Sequence, residues 1–346
     1  MKKRVVGLDI AGRSIRGVQM LHRTGQRSIV EKFVDFPLDE FDATFDKTRA
    51  NYLARNLRDM WNQAGFKTPY LAVGIGGGDV FVREFSVPDV SPNMLKKRLP
   101  DLLKSELPMS VDEVVLDFYA NSRTVVDGEP SLQGLAVAAN RKVVDELMEA
   151  SRAAKLKVVS IDLIPFALTR HLMKRKIQTG VKAYVRASNS YINIVVTDGT
   201  KVVFVRLVPW EHLGNRELKL SDAATGDNEG LVFESAEPST GELALILEKE
   251  QSQLALQRQA IRELNETMEY FHLNHSDKKI EEILVSGYRL DNAQFIEALS
   301  KDKNIWVTGI TKTGLGHKKS TLSLVDTAEL PDHLAVALAL AEGVDL

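Results

Sequence analysis

The segment Gly7-Leu8-Asp9-Ile10-Ala11-Gly12-Arg13-Ser14-Ile15-Arg16 sets an acid, a small-residue turn and a hydroxyl close together. A strand that ends in an acid and then turns tightly brings backbone N–H groups and a carboxylate to one point. That grouping can hold phosphates and orient magnesium-bound water. An ordinary hairpin with a polar turn uses the same residues, so the segment alone leaves both readings open. Gly74-Ile75-Gly76-Gly77-Gly78-Asp79 is also glycine-rich, but Val80-Phe81-Val82 behind it is strand-like. A phosphate-binding glycine loop feeds a helix N-terminus, so this one reads as a permissive turn or bulge. Gly314-Leu315-Gly316-His317-Lys318-Lys319-Ser320 has the wrong spacing for a Walker loop and reads as a basic surface loop. Glu269, His272 and His275 share one helical face, yet no second helix offers a matching ligand set, which leaves a solvated helix end. With no His-Glu-x-x-His, no Gly-x-Ser-x-Gly elbow and no cysteine, hydrolysis by side chains has no support.

The elements that position Asp9 begin at the N-terminus as a three-stranded meander, Val5–Ile10, Ser14–Leu21 and Ser28–Phe36. A helix over Lys47–Ala64 ends at Gly65, and strands follow at Tyr70–Gly74 and Val80–Val87. Residues 86–137 read as an inserted α+β unit. Ser91-Pro92 opens a helix that Pro100 should kink or split in two and Pro108 closes, and strands Val114–Tyr119 and Gln133–Ala138 flank a polar loop with Asp127-Gly128. A helix at Arg141–Lys155, a strand at Val158–Ile161 and a helix at Pro165–Lys176 complete the first half. At Val181 the opening pattern returns: Val181–Val185, Tyr191–Thr197 and Lys201–Val208, the last two joined at Asp198-Gly199. Aligning Ser14 with Ser190 sets Asp9 opposite Val185 and Ala11 opposite Ala187, a likeness of pattern that points to internal duplication. Residues 221–241 are polar and loop-like, a long amphipathic helix runs to about Asn274, and a short apolar helix covers Leu334–Ala341.

The chain's 346 residues suggest about two domains. Its 45 basic and 47 acidic side chains leave a net charge of −2, which gives no support to nucleic-acid binding. Without cysteine there is no disulfide framework and no thiolate metal site. Asp9 comes too early for a signal-peptide core and no apolar run reaches about 18 residues, so a cytoplasmic protein without direct membrane insertion is expected.

The Gly-Leu-Asp-Ile-x-Gly-x-Ser-Ile-Arg opening and the repeated meander resemble the actin/Hsp70-like fold. Arg83-Glu84-Phe85-Ser86-Val87-Pro88, the helix ending Glu106-Leu107-Pro108 and Glu113-Val114-Val115-Leu116-Asp117-Phe118 resemble the inserted subdomain of the PilM family of type IV pilus assembly proteins, relatives of the division protein FtsA. Leu147–Leu168, Met268–Gly287 and Ala335–Leu340 fit the same order, so the resemblance covers nearly the whole chain. It implies an α/β, duplicated ribonuclease H-like fold in two lobes. The first lobe would be residues 1–178 with an insertion at 86–137; the second would be 179–346, with a helical subdomain at 216–276 and a C-terminal helix at 331–342.

The resemblance also implies ATP and magnesium. Asp9, Gly12, Arg13 and Ser14 would then lie at the phosphates, with Asp9 holding magnesium through water, and Gly287 beside the adenosine. The family's second Asp-x-Gly is replaced here by Val185-Arg186-Ala187, its late Gly-Gly turn by Ser286-Gly287-Tyr288-Arg289, and its first glycine by Ala11. Weak or absent ATP binding, without hydrolysis, is therefore expected. The leading function is a scaffold that binds the cytoplasmic tail of a PilN-like inner-membrane protein within a pilus or secretion platform, held at the membrane through that partner. The alternatives are an active ATP-binding switch, or the actin-like component of a type II secretion-like system, which normally continues into a membrane span. An FtsA-like membrane filament is disfavoured by the acidic end Ala341-Glu342-Gly343-Val344-Asp345-Leu346.

Overall fold

Runs rich in Val, Ile and Phe open the chain and pair antiparallel as β1 (Lys2–Ala11), β2 (Ser14–Arg23) and β3 (Ile29–Pro37). The computed structural model describes residues 2–11, 14–25, 28–39, 41, 47–173, 179–187, 191–209, 240–287, 293–303, 305–309 and 332–344. Thr48 caps helix α1 (Arg49–Ala64) by accepting from the Asn51 amide at 3.1 Å, and Gly65 ends it in the left-handed region. The chain then returns as β4 (Tyr70–Ile75), parallel to β1. Helix α3 (Arg141–Ala153) and strand β8 (Lys157–Leu163) finish the first sheet, in the order β3-β2-β1-β4-β8.

The second half repeats this. Strands β9 (Val181–Ala187), β10 (Tyr191–Asp198) and β11 (Lys201–Pro209) form a meander. Beyond it, helix α5 (Thr240–Asn274), β12 (Ile280–Gly287), α6 (Ala293–Lys303) and β13 (Trp306–Gly309) give the order β11-β10-β9-β12-β13. Two sheets of identical strand order, each with three antiparallel strands and two parallel to the middle one, make the duplicated ribonuclease H-like arrangement of the actin-like fold. Crossover helices α1 and α3 cover one face of the first sheet through Ala54, Leu57, Met60, Leu147 and Ala150. Helices α5 and α6 cover the matching face of the second through Leu264, Met268, Phe271, Phe295 and Leu299.

Between the parallel strands of the first half lies a small sheet, β5 (Val80–Pro88), β6 (Val114–Val126) and β7 (Glu129–Asn140), in the order β5-β7-β6. Its strands reach beyond the limits 86–137 at both ends. Asp127 and Gly128, both at positive φ (52° and 84°), form the two-residue turn that lets β6 and β7 pair along their whole length. Helix α2 (Pro92–Leu103), with Pro92 in its first turn, packs on this sheet through Leu95, Leu99 and Leu103. It carries Pro100 inside one continuous helix and stops at Leu103, short of Pro108.

The face of the first sheet opposite α1 is covered by α4 (Ile164–Met173) and by the last helix of the chain, α7 (Ala335–Glu342). Sequence order assigns α7 to the second half, but its buried Val336–Ala341 stretch packs on Val5, Val18, Met20, Val30 and Ala72 of the first. Gly7 makes this approach possible, because a Cβ there would run into the Ala337 carbonyl. The helical subdomain expected at 216–276 lies partly outside the described residues, which show α5 from Thr240 onward. No described helix is long and apolar enough to cross a membrane.

Candidate functional site

Asp9 sits near the end of β1, directly opposite Arg16 on β2, and Arg16 is in turn opposite Asp35 on β3. Cross-strand partners in an antiparallel sheet point to the same face, so the three side chains form one row. Arg16 Nη1 lies 3.6 Å from Asp9 Oδ2, Arg16 Nε lies 3.6 Å from Asp35 Oδ2, and His333 Nε2 lies 3.2 Å from Asp35. Asp9 is only 2% exposed. Burial pushes its carboxyl above the ordinary carboxylate range, while the nearby charges of Arg186 and Arg16 pull it back down. Burial likewise lowers Arg186, and the Asp9 charge opposes that shift. The Arg186 charge of the second half thus acts on the acid of the first.

Strand register explains how Arg186 gets there. Leu8 pairs with Val73, and Val185 pairs with Val285, in parallel fashion. Leu8 and Val73 belong to the core beneath α1 and α3, and Val185 and Val285 to the core beneath α5 and α6. Leu8 and Val185 are therefore equivalent, and side-chain alternation makes Arg186, not Val185, the counterpart of Asp9. The serine-anchored alignment is one residue off, because the gap between β1 and β2 is shorter than the gap between β9 and β10. Within Val185-Arg186-Ala187, the alternation of strand faces, counted outward from Val185, is the sequence signal that singles out Arg186.

The other expected site residues divide. Ser14 opens β2, paired with Ala11 and Pro37. Gly287 ends β12 beside Ala187, next to the Arg186–Ser286 pair. Gly12, Arg13 and Tyr288 lie outside the described residues, as do the loop 310–320 and most of the polar stretch 221–241. A divalent cation recruits carboxylates and water. Here the carboxylate of the motif already pairs with the Arg16 guanidinium and lies in the field of the Arg186 charge, and the second half contributes arginine where an acid would be required, so the residues do not fit a magnesium site. Among the described residues no cluster of acids and histidines could hold a metal ion. Of the Glu269, His272 and His275 face, Glu269 is exposed as expected, but His275 Nε2 lies 2.8 Å from Glu84 Oε1 on β5, its ring against Phe271.

Apolar contacts join the halves. Val80, Val82, Leu135 and Ala139 of the inserted sheet and Leu163 of β8 form one buried cluster with Tyr184, Val195, Val202, Val205 and Leu284 of the second half. Asn121 Nδ2 donates to the Val202 carbonyl at 3.2 Å. The glycine-rich turn, read correctly as a turn, lies against the Tyr191 ring. Gly77 takes a positive φ of 78°, and a Cβ there would press on the Tyr191 ring at 2.6 Å.

A family model described as "Type IV pilus assembly protein PilM" matches residues 7–308. The chain belongs to the PilM family. The structure is similar along nearly its full length to one described as "PilM-PilN type IV pilus biogenesis complex", with a TM-score of 0.70, 19% identity, and 98% of this chain and 97% of that chain covered. Looser likenesses include a Bacteroides thetaiotaomicron protein of actin-like ATPase fold (TM-score 0.45, 8% identity, 88% and 90% covered). The cytoplasmic domain of EpsL, an inner membrane component of the type II secretion system of Vibrio cholerae, is looser still (TM-score 0.39, 14% identity, 60% and 71% covered). Neither carries weight here. Comparison with curated proteins gives no match. The protein is an actin-like member of a type IV pilus assembly family.

Proposed function

We propose that the protein is a pilus-assembly scaffold that binds the cytoplasmic tail of a PilN-like inner-membrane protein and works without turning over ATP. The observation that carries this reading is the likeness, over 98% of the chain, to a protein solved as a PilM–PilN complex. The charge row at Asp9 supports the second clause, since it offers guanidiniums where a nucleotide switch requires metal-binding acids. In this reading the protein is cytoplasmic and reaches the membrane through its partner. An extended tail gains main-chain hydrogen bonds by adding to a sheet edge and gains specificity from side-chain pockets; among the described residues β8 and β13 end their sheets.

Titration of a fluorescent peptide carrying the cytoplasmic tail of the membrane protein encoded next to this chain tests the reading. Saturable binding that a scrambled tail does not reproduce is expected. Equal, weak binding of both peptides would reject it.

A further inference from the structure

We propose that Arg186 is a resident substitute for the divalent cation at Asp9: the second half supplies a guanidinium that neutralises the carboxylate of the first and fixes the two halves together, so that neither Mg2+ nor a nucleotide polyphosphate is taken up there. The inference rests on the scaffold reading in assigning a residue to the loss of nucleotide switching, but it is tested without the tail.

Three independent observations meet at this pair. The first is topological: in a duplicated fold with identical strand order, Arg186 occupies the position and sheet face that Asp9 occupies in the other half. A symmetric pair of acids facing each other repels and needs a cation between them. An acid facing an arginine needs none. The second is burial. Asp9 is almost completely removed from water, and its own-sheet partner Arg16 is shared with Asp35 at the same 3.6 Å separation. Arg16 alone therefore does not compensate Asp9, and to the row His333–Asp35–Arg16–Asp9 the second half adds the nearby charge of Arg186. The third is the surrounding packing. The Tyr191 ring fills the space over Gly77 and Gly78, and an apolar cluster with members from both halves lies around the inserted sheet.

If the two buried charges compensate each other, removing one strands the other, whereas removing both relieves the cost. Thermal melts of the full-length chain in EDTA, in millimolar Mg2+ and in MgATP provide the test. The wild-type melting temperature is expected to be the same in all three. Arg186→Ala and Asp9→Asn should each melt several degrees lower, and the double variant no lower than the worse single. Arg186→Lys, which keeps the charge and the fold, should stay insensitive to Mg2+. Arg186→Asp, which recreates a facing pair of acids, should melt low in EDTA and rise on adding Mg2+. A wild-type melt that rises in MgATP would overturn the proposal, as would single losses that simply add in the double variant. Failure of the tail titration with these results intact would reject the scaffold reading alone.

Discussion

The two halves share a strand order but cover the same sheet face with different partners. In the first, the middle strand presents Gly7 and then Asp9 on that face; in the second, the equivalent residues are Tyr184 and Arg186. Glycine leaves room for α7, so the chain's last helix lies directly on β1 and seals the face with aliphatic contacts. Tyrosine instead projects into the buried cluster that joins the second half to the inserted sheet and to β8. One sheet is capped by its own chain terminus and the other by its neighbouring half. The next position along each strand pair then carries opposite charges. Duplication supplies a symmetric frame, and the halves depart from it in glycine against tyrosine and acid against arginine.

Breaking either side of that contrast should have effects in separate places. Tyr184→Ala removes a buried ring from the seam and should cost about 3–4 kcal/mol in denaturant unfolding. Hydrogen exchange should show the lost protection in β9, β10 and the inserted sheet, leaving α7 protected. Gly7→Ala forces the new methyl against the Ala337 carbonyl and should cost about 2–3 kcal/mol, with the loss of protection confined to α7 and β1. Tyr191→Ala takes a ring off the Gly77–Gly78 turn; the expected cost is about 1–2 kcal/mol, with faster exchange around residues 76–80. The smallest effect concerns Glu31, which lies outside the contrast and serves as its control. Hydrogen bonding from Arg4 chiefly, and from Gln19, holds the Glu31 carboxyl below the usual range against the opposing effect of burial. A lowered carboxylate stabilises the fold above its unfolded-state pKa, and that contribution disappears as pH falls through the folded value. Glu31→Gln should therefore cost about 1 kcal/mol at neutral pH, with Arg4 partly exposed, and the gap from wild type should narrow in acid melts.

Much of this was legible in the residues. Alternating Val and Ile runs, Ser91-Pro92 and Gly65 located the strands and helix ends, and the return of the meander at Val181 disclosed the duplication. The site was half legible. Asp9 stood out because an acid that ends a strand before a tight turn of small residues can hold phosphates and orient magnesium-bound water. Its compensation by Arg186 did not stand out, because the serines that seemed to anchor the repeat follow turns of different length, and a slip of one residue changes the face. The place of α7 was not legible either. Its apolar residues are hydrophobic all round, which says that it is buried but not under which sheet; the open Cβ position of Gly7 decides that. His275, read as part of a solvated helix end, reaches Glu84 only because the inserted sheet folds back on the second half.

The account turns on whether the halves are already fixed without nucleotide. Because the chain has no cysteine, spin labels at Glu149→Cys on α3 and Lys301→Cys on α6, both exposed, report that arrangement cleanly. Pulsed dipolar distance measurement between them, with and without saturating MgATP, should return one narrow distribution with an unchanged centre. A broad distribution that narrows or shifts when MgATP is added would contradict the central claim and restore the nucleotide switch.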